Sequence, residues 1–299
     1  MEQTIEKRDS YTVVTDRIIE LLKLGIVPWR KNWAKAGLPM NLATGRPYKG
    51  INVMLLASLN YKLNYFLTYK QVKELGGEIK KGEKSNLVVF WKYSNSINGE
   101  AQLPQEEVHP PKLQYYTVFN VEQCEGLPED KIPALKQEAY PIVKCEDIVK
   151  KMPNKPTISH KAKGTCYDPL KDVITLPKRE VFSSGEPYFY ILFHMLIHST
   201  GHFKRLNRKG LLEMAEYGAN PFSYEEMVAE IGAAYLESTA GIAEPEPVNE
   251  EAYIKGWLQV LEHDKRFILS ASGYAQKATD YILHVTGEEK EEEPTALNQ

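Results

Sequence analysis

Cysteine is scarce in this chain. It has 3 in 299 residues, Cys124, Cys145 and Cys166, an odd number with no C-x-x-C among them. That excludes a disulfide-framed scaffold and a thiolate zinc site, and it makes a reducing location, the cytoplasm, the expected one. Long apolar runs are lacking as well. No stretch approaches the ~20 apolar residues a membrane-crossing helix needs, so no membrane partner is expected. Residues 1–9 are charged and carry no apolar leader segment. Net charge is also small, at -3, so the molecule as a whole is no polyelectrolyte.

What charge there is lies unevenly. Between Tyr11 and Tyr93 fourteen Lys and Arg face five Asp and Glu, an excess of nine positive charges, whereas the chain closes on Glu288, Glu289, Lys290, Glu291, Glu292 and Glu293. This asymmetry predicts a basic module that meets an anion and an acidic, disordered tail over 286–299. With 42% hydrophobic and 26% charged residues, the length suits two globular domains, expected at 1–132 and 141–285 with a linker between them.

Periodicity predicts an α+β protein. In the first half the apolar stripe of Val13, Val14, Ile18, Leu21 and Leu22 reads as a helix ending at Gly25. A second helix is expected over 52–61, and a short one after Thr68, which suits an N-cap, with Gly76 past its end. Residues 86–93 and 113–119 are β-branched and aromatic and read as an antiparallel pair, joined through an exposed loop over 94–111. The second half reads as mainly helical, with helices over 143–152, 187–200, 223–239, 250–262 and 265–284. A small sheet is expected from 164–167 and 172–176.

His194 and His198 stand four apart and so share one helical face. The spacing is that of H-E-x-x-H, in which two imidazoles bind one metal and the Glu is general base. Downstream, Glu226 and Glu230 are again four apart. Thermolysin-like proteases use a Glu on a following helix as third ligand and an acid four residues later to orient a histidine. Glu226 is therefore the expected third ligand, and Glu230 the expected acid behind it. His202, beyond Gly201, is a weaker candidate at the edge of the same site. Such a set accepts Zn²⁺, Mn²⁺ or another divalent ion.

The position of the general base is occupied by Met195. Acid–base groups contribute ~10²–10⁴-fold to catalysis, and a thioether carries no proton at neutral pH. A metal site impaired in hydrolysis is the expectation. An active metallopeptidase would need another base, with His202 and Glu225 the nearest.

Ahead of this site, aromatics alternate with cations: Trp29, Arg30, Lys31, Trp33, Arg46, Tyr48, Lys49, Tyr69, Lys70, Lys80, Lys81 and Lys84. Unpaired bases stack on aromatic rings while Lys and Arg track phosphates, so this pairing suits single-stranded nucleic acid. Burial of Trp29 and Trp33 in a core is the competing reading.

Ordered motifs carry a wider resemblance. They are Pro28-Trp29, Pro39-Met40-Asn41, Tyr48-Lys49-Gly50-Ile51-Asn52, Thr68-Tyr69-Lys70-Gln71, Lys81-Gly82-Glu83-Lys84 and Val118-Phe119-Asn120-Val121-Glu122-Gln123. Then follow Asp172-Val173-Ile174-Thr175-Leu176-Pro177, His198-Ser199-Thr200-Gly201-His202, Glu225-Glu226-Met227-Val228-Ala229-Glu230 and Ala275-Gln276-Lys277-Ala278-Thr279-Asp280-Tyr281. Over roughly 11–284 the chain resembles the ArdC-type antirestriction proteins of conjugative elements, whose N-terminal domain is shared with some plasmid primases. The resemblance implies an N-terminal mixed α/β domain that binds single-stranded DNA, adding Asn52 to the candidate contacts. It also implies a zincin-like C-terminal domain and a role against host restriction, with host restriction proteins as possible partners. The family pattern has Glu at position 195, so the departure falls on the catalytic base.

Overall fold

The computed structural model describes residues 9–30, 33, 36–92, 112–134, 138–161, 163–211, 222–242 and 250–285. The expectations for Lys31, for the loop over 94–111 and for the tail over 286–299 lie outside these residues.

Helix α1, Ser10–Lys23, forms on the expected stripe and buries Val14, Ile18, Leu21 and Leu22. A 3₁₀ turn at Pro28–Arg30 follows and turns Trp29 inward. Strand β1, Met40–Asn41, leads to helix α2, Ile51–Ala57, shorter than the expected run over 52–61. Strand β2, Tyr65–Leu67, is followed by helix α3, Tyr69–Glu74. Thr68 and Gln71 form a reciprocal capping box at its start. Gly76, past its end, adopts φ +80°, a left-handed conformation that glycine reaches without steric cost.

Strand β3, Glu78–Ile79, precedes the long pair β4, Asn86–Lys92, and β5, Lys112–Asn120. These two pair antiparallel from Asn86 opposite Val118 to Lys92 opposite Lys112. The four-stranded sheet has the order β1-β2-β5-β4, in which only β1 and β2 are parallel. Strand β6, Cys124–Glu125, pairs with β3 in a small ribbon.

The second half opens with helix α4, Pro141–Lys151. Strands β7, Thr157–Ser159, β8, Cys166–Asp168, and β9, Val173–Thr175, form a sheet of order β7-β9-β8. The antiparallel β8–β9 pair was expected, whereas the parallel strand β7 was not, because three residues after a proline carry no readable alternation. Among the described residues, four long helices complete the half: α5, Gly185–Thr200, α6, Tyr224–Ala240, α7, Glu250–His263, and α8, Phe267–Ile282. Both sheets and helices are present, as an α+β class requires.

One continuous apolar core runs through both halves. It unites Val14, Ile18, Trp29, Trp33, Met54 and Val89 with Phe193, Leu196, Ile231, Trp257 and Ile268. Polar contacts follow the same seam. The Trp29 indole N–H donates to the Tyr253 hydroxyl at 2.8 Å, and its ring stands edge-on to Trp257 at 6.1 Å. Trp33 packs against Tyr235 at 5.6 Å. The Tyr235 hydroxyl donates to the Gly50 carbonyl, and the Gly50 N–H donates to Gln276 Oε1.

These contacts correct the base-stacking expectation for both tryptophans. With 1% and 3% of their surfaces exposed, Trp29 and Trp33 hold no free face for a base. Tyr48 and Asn52 are buried too, and Asn52 exchanges hydrogen bonds with the backbone of Val89. Large-to-small changes at such sites cost ~3–5 kcal/mol. Trp29→Ala should lower unfolding free energy by about that much in a denaturant titration. A loss well under ~1 kcal/mol would contradict the packing described.

Candidate metal centre

The site is assembled by the close approach of α5 and α6. Gly232 makes that approach possible: a Cβ there would lie 2.7 Å from Ile197 Cδ1, inside van der Waals contact. Ile197 and His198 are neighbours on α5, so the helix that accepts Ile197 at Gly232 also brings its N-terminal turn to the histidines. Ser223 caps that turn, its hydroxyl accepting the Glu226 N–H at 3.2 Å. Glu225 and Glu226 fall in the first turn, where the helix dipole favours carboxylates.

Three donor side chains converge there. His194 Nε2 and His198 Nε2 are 3.1 Å apart. Glu226 sets one oxygen 3.3 Å from His194 Nε2 and the other 3.2 Å from His198 Nε2. Among the described residues, His194, His198 and Glu226 are the group of metal-type donors that can share one ion, with ligand atoms all within 4.8 Å of one another. Two imidazoles and a carboxylate suit a divalent transition metal.

The acid behind the site is Glu225, not Glu230. His198 Nδ1–H donates to Glu225 Oε1 at 3.4 Å, which turns Nε2 toward the ligand cluster. Glu225 is 1% exposed and is matched by Arg208, whose Nε donates to the other carboxylate oxygen at 3.0 Å. The Arg208 guanidinium also donates to Thr200 Oγ1 and to the Ile197 carbonyl. The buried charges are thus paired and hydrogen-bonded, as burial demands. Adjacent residues on a helix point about 100° apart, which lets Glu225 and Glu226 reach opposite nitrogens of one imidazole.

Glu230 instead forms an ion pair with Arg30 at 3.0 Å, both side chains largely buried. The Arg30 guanidinium lies 3.8 Å over the Tyr253 ring. A residue expected to touch phosphate therefore ties the first half to the ligand helix. His202 is likewise outside the donor group. It lies beyond the end of α5, with its Nδ1 accepting the Lys204 N–H and its ring against Phe203. Met195, next to His194 on α5, is partly buried and packs against the edge of the core.

Protonation follows from these contacts. Burial opposes charge on His198, yet Glu225 and Glu226 outweigh it and push its pKa from 6.5 up to about 9. Burial acts to raise the Glu226 carboxyl, but both imidazoles hold it well below the usual carboxylate range. The Glu225 carboxyl is also held low against its burial, chiefly by Arg208.

Of the expected nucleic-acid contacts, Arg46, Tyr69, Lys70, Lys80, Lys81 and Lys84 are exposed and Lys49 is half-buried. Lys70 lies 3.7 Å from Glu74, and Lys80 donates to the Glu122 carbonyl. Trp91, absent from the expected set, is 37% exposed at the end of β4. Its strand reads as core, which hides it from sequence.

Residues 8–119 match the profile of the N-terminal domain of the anti-restriction factor ArdC, and residues 144–274 match that of a zincin-like metallopeptidase. The class is therefore an ArdC-type N-terminal domain joined to a zincin-like half. The metal-free crystal structure of the antirestriction protein ArdC from plasmid R388 is similar, with TM-score 0.71, 33% identity and coverage of 92% of this chain and 97% of that one. Its Mn(II)-bound structure gives 0.72, 34%, 93% and 98% in the same terms. The chain belongs to the ArdC family of antirestriction proteins.

A protein of Escherichia coli described as DNA primase TraC is 34% identical over 296 residues, and a second of that name is 30% identical over 309. The uncharacterised protein y4eC of Sinorhizobium fredii is 28% identical over 286 residues. The match covers 93% and 97% of this chain but only 20% and 28% of the two primases, so the chain spans about a fifth and just over a quarter of their length.

Two predictions follow from the centre's geometry. Metal must displace the proton from His198. Because that pKa is raised to about 9, affinity should climb as pH rises and level off near 9, with proton release measurable by calorimetry below that point. In the metal-free protein the sign for stability is opposite. The stabilisation from charged His198 is complete below about 6.5 and lost as pH rises through 9. Second, Glu225→Gln should weaken metal binding ~10–100-fold, whereas Glu230→Gln should leave metal affinity unchanged while lowering stability. The reverse pattern in metal titrations would restore Glu230 to the role first expected of it.

Proposed function

We propose that this protein binds single-stranded DNA through the exposed cationic surface of its first half and carries a divalent-metal site that no longer hydrolyses efficiently. In this reading it shields DNA entering a cell from restriction. The observation that carries the reading is the convergence of His194, His198 and Glu226 on one point, with Met195 in the slot next to His194.

The donor chemistry fits a divalent ion, Zn²⁺ or Mn²⁺, and the Mn(II)-bound relative supports the second. Such an ion supplies Lewis-acid chemistry when bound. Among the described residues, neither candidate base named above is placed as a proton carrier beside it. Glu225 has both oxygens engaged by Arg208 and His198, and a carboxyl held low is a poor base. His202 stands apart from the donor group. Neither alternative base is favoured by its surroundings.

Support for the single-strand reading comes from the ArdC-type N-terminal match and from the exposed Arg46, Lys70, Lys81 and Lys84. Both relatives described as primases are DNA primases by name. The cytoplasm is the location this role needs, and among the described residues no helix is long and apolar enough to cross a membrane.

Metal-loaded Met195→Glu should keep its metal and gain ~10²–10⁴-fold in cleavage of casein or a mixed peptide library. A variant that binds metal and cleaves nothing above the parent rate would overturn the lapsed-hydrolase reading. For the parent, affinity for a labelled oligonucleotide should fall steeply between 50 and 200 mM salt, as phosphate contacts require. Absence of binding at low salt would remove the DNA reading.

A further inference from the structure

A groove of about 220 Å³ opens between the two halves, where the end of β4 meets α8. Its walls include Phe90, Trp91 and Leu113 on one side and Gly273 on the other, and Lys49 and Lys277 also line it. The volume is below the ~300–1,000 Å³ of drug-sized ligand pockets, so the groove suits one planar ring system. Its surface is largely apolar because the neighbouring polar groups bond to protein. Asn52 is engaged by the Val89 backbone, Gln276 by Gly50 and Asp280, and the Ser272 hydroxyl donates to the Leu269 carbonyl.

Two ammonium groups flank this apolar surface. Lys277 is exposed, its Nζ 5.6 Å from the Tyr274 ring centre. Lys49 Nζ lies 3.9 Å from the Asp280 carboxylate, beyond ordinary hydrogen-bond length. The aromatic surface also continues past the groove. Trp91 stands edge-on to Tyr11 at 6.1 Å, and the Arg266 guanidinium covers Tyr11 at 5.1 Å. Rings and cations therefore alternate along a strip that both halves build.

We propose that this groove seats one nucleotide of a single DNA strand, with the base against Trp91 and its cross-strand neighbour Leu113 and the phosphate on Lys49 and Lys277, and that the strand continues over Tyr11 and Arg266. Charge complementarity selects the occupant: an apolar slot rimmed by ammonium groups matches a ring joined to a phosphate. The strip beyond it favours a strand over a free nucleotide. With the wall amides already engaged, base edges go unread and binding is indifferent to sequence. The inference rests on the single-strand reading above and adds that the C-terminal helix α8 takes part in it.

The test uses the full chain and a fluorescein-labelled fifteen-base thymidine oligonucleotide, read by anisotropy across salt. Trp91→Ala should weaken binding about 5- to 160-fold, the range for losing one stacked base. Lys277→Ala should weaken it several-fold and reduce the salt slope by about one. Lys277 is exposed, so that variant keeps its fold even if Trp91→Ala does not. Parent-like affinity and salt slope in Lys277→Ala, with parent-like affinity in any folded Trp91→Ala, would overturn the groove while leaving single-strand binding in place. Failure of the parent to bind at low salt would overturn both.

Discussion

A fully buried carboxylate, Glu225, sets the terms for the second half of this molecule. An ionised acid removed from water is tolerated only when its charge and lone pairs are matched. Arg208 does so from the turn after α5, and in reaching Glu225 it also binds the carbonyl of Ile197 and the hydroxyl of Thr200. One guanidinium therefore holds the end of the histidine helix, the loop after it and the start of α6. His198 takes its ring orientation from the same carboxylate. The candidate metal ligands inherit their positions from an ion pair to which none of them belongs.

A second constraint joins the halves. Trp29, Trp33, Arg30 and Tyr48 are the residues whose types most resemble a nucleic-acid surface, and the fold places all four in its interior or in an ion pair across the seam. Aromatic rings with a polar edge suit a buried seam as well as a base stack, since both offer flat apolar contact with one hydrogen-bond partner. Residue type alone does not separate these uses. What separates them is whether a partner face, such as Trp257 or Tyr235, lies opposite.

Much of the candidate metal centre was legible from spacing. An i,i+4 histidine pair shares a face on any helix, and an acid in the first turn of the next helix can be brought opposite. The choice between Glu225 and Glu230 was not legible, because it depends on the rotation of α6 about its axis, and that rotation is fixed by Gly232 meeting Ile197. Long elements with a strong period were found close to their ends, including α1, α5, α6 and the β4–β5 pair. Elements of two or three residues, such as β1, β3, β6 and β7, depend on neighbours remote in sequence and leave no local pattern.

The shared core also bears on how this sequence travels. A break at the junction of the halves would strip Trp29 and Trp33 of their partners and leave Trp257 and Tyr235 facing solvent. Neither fragment would keep a closed interior. The two halves therefore share one interior and depend on each other to close it. The alignment with the far longer primases covers 93% and 97% of this chain and so keeps both sides of that interior together.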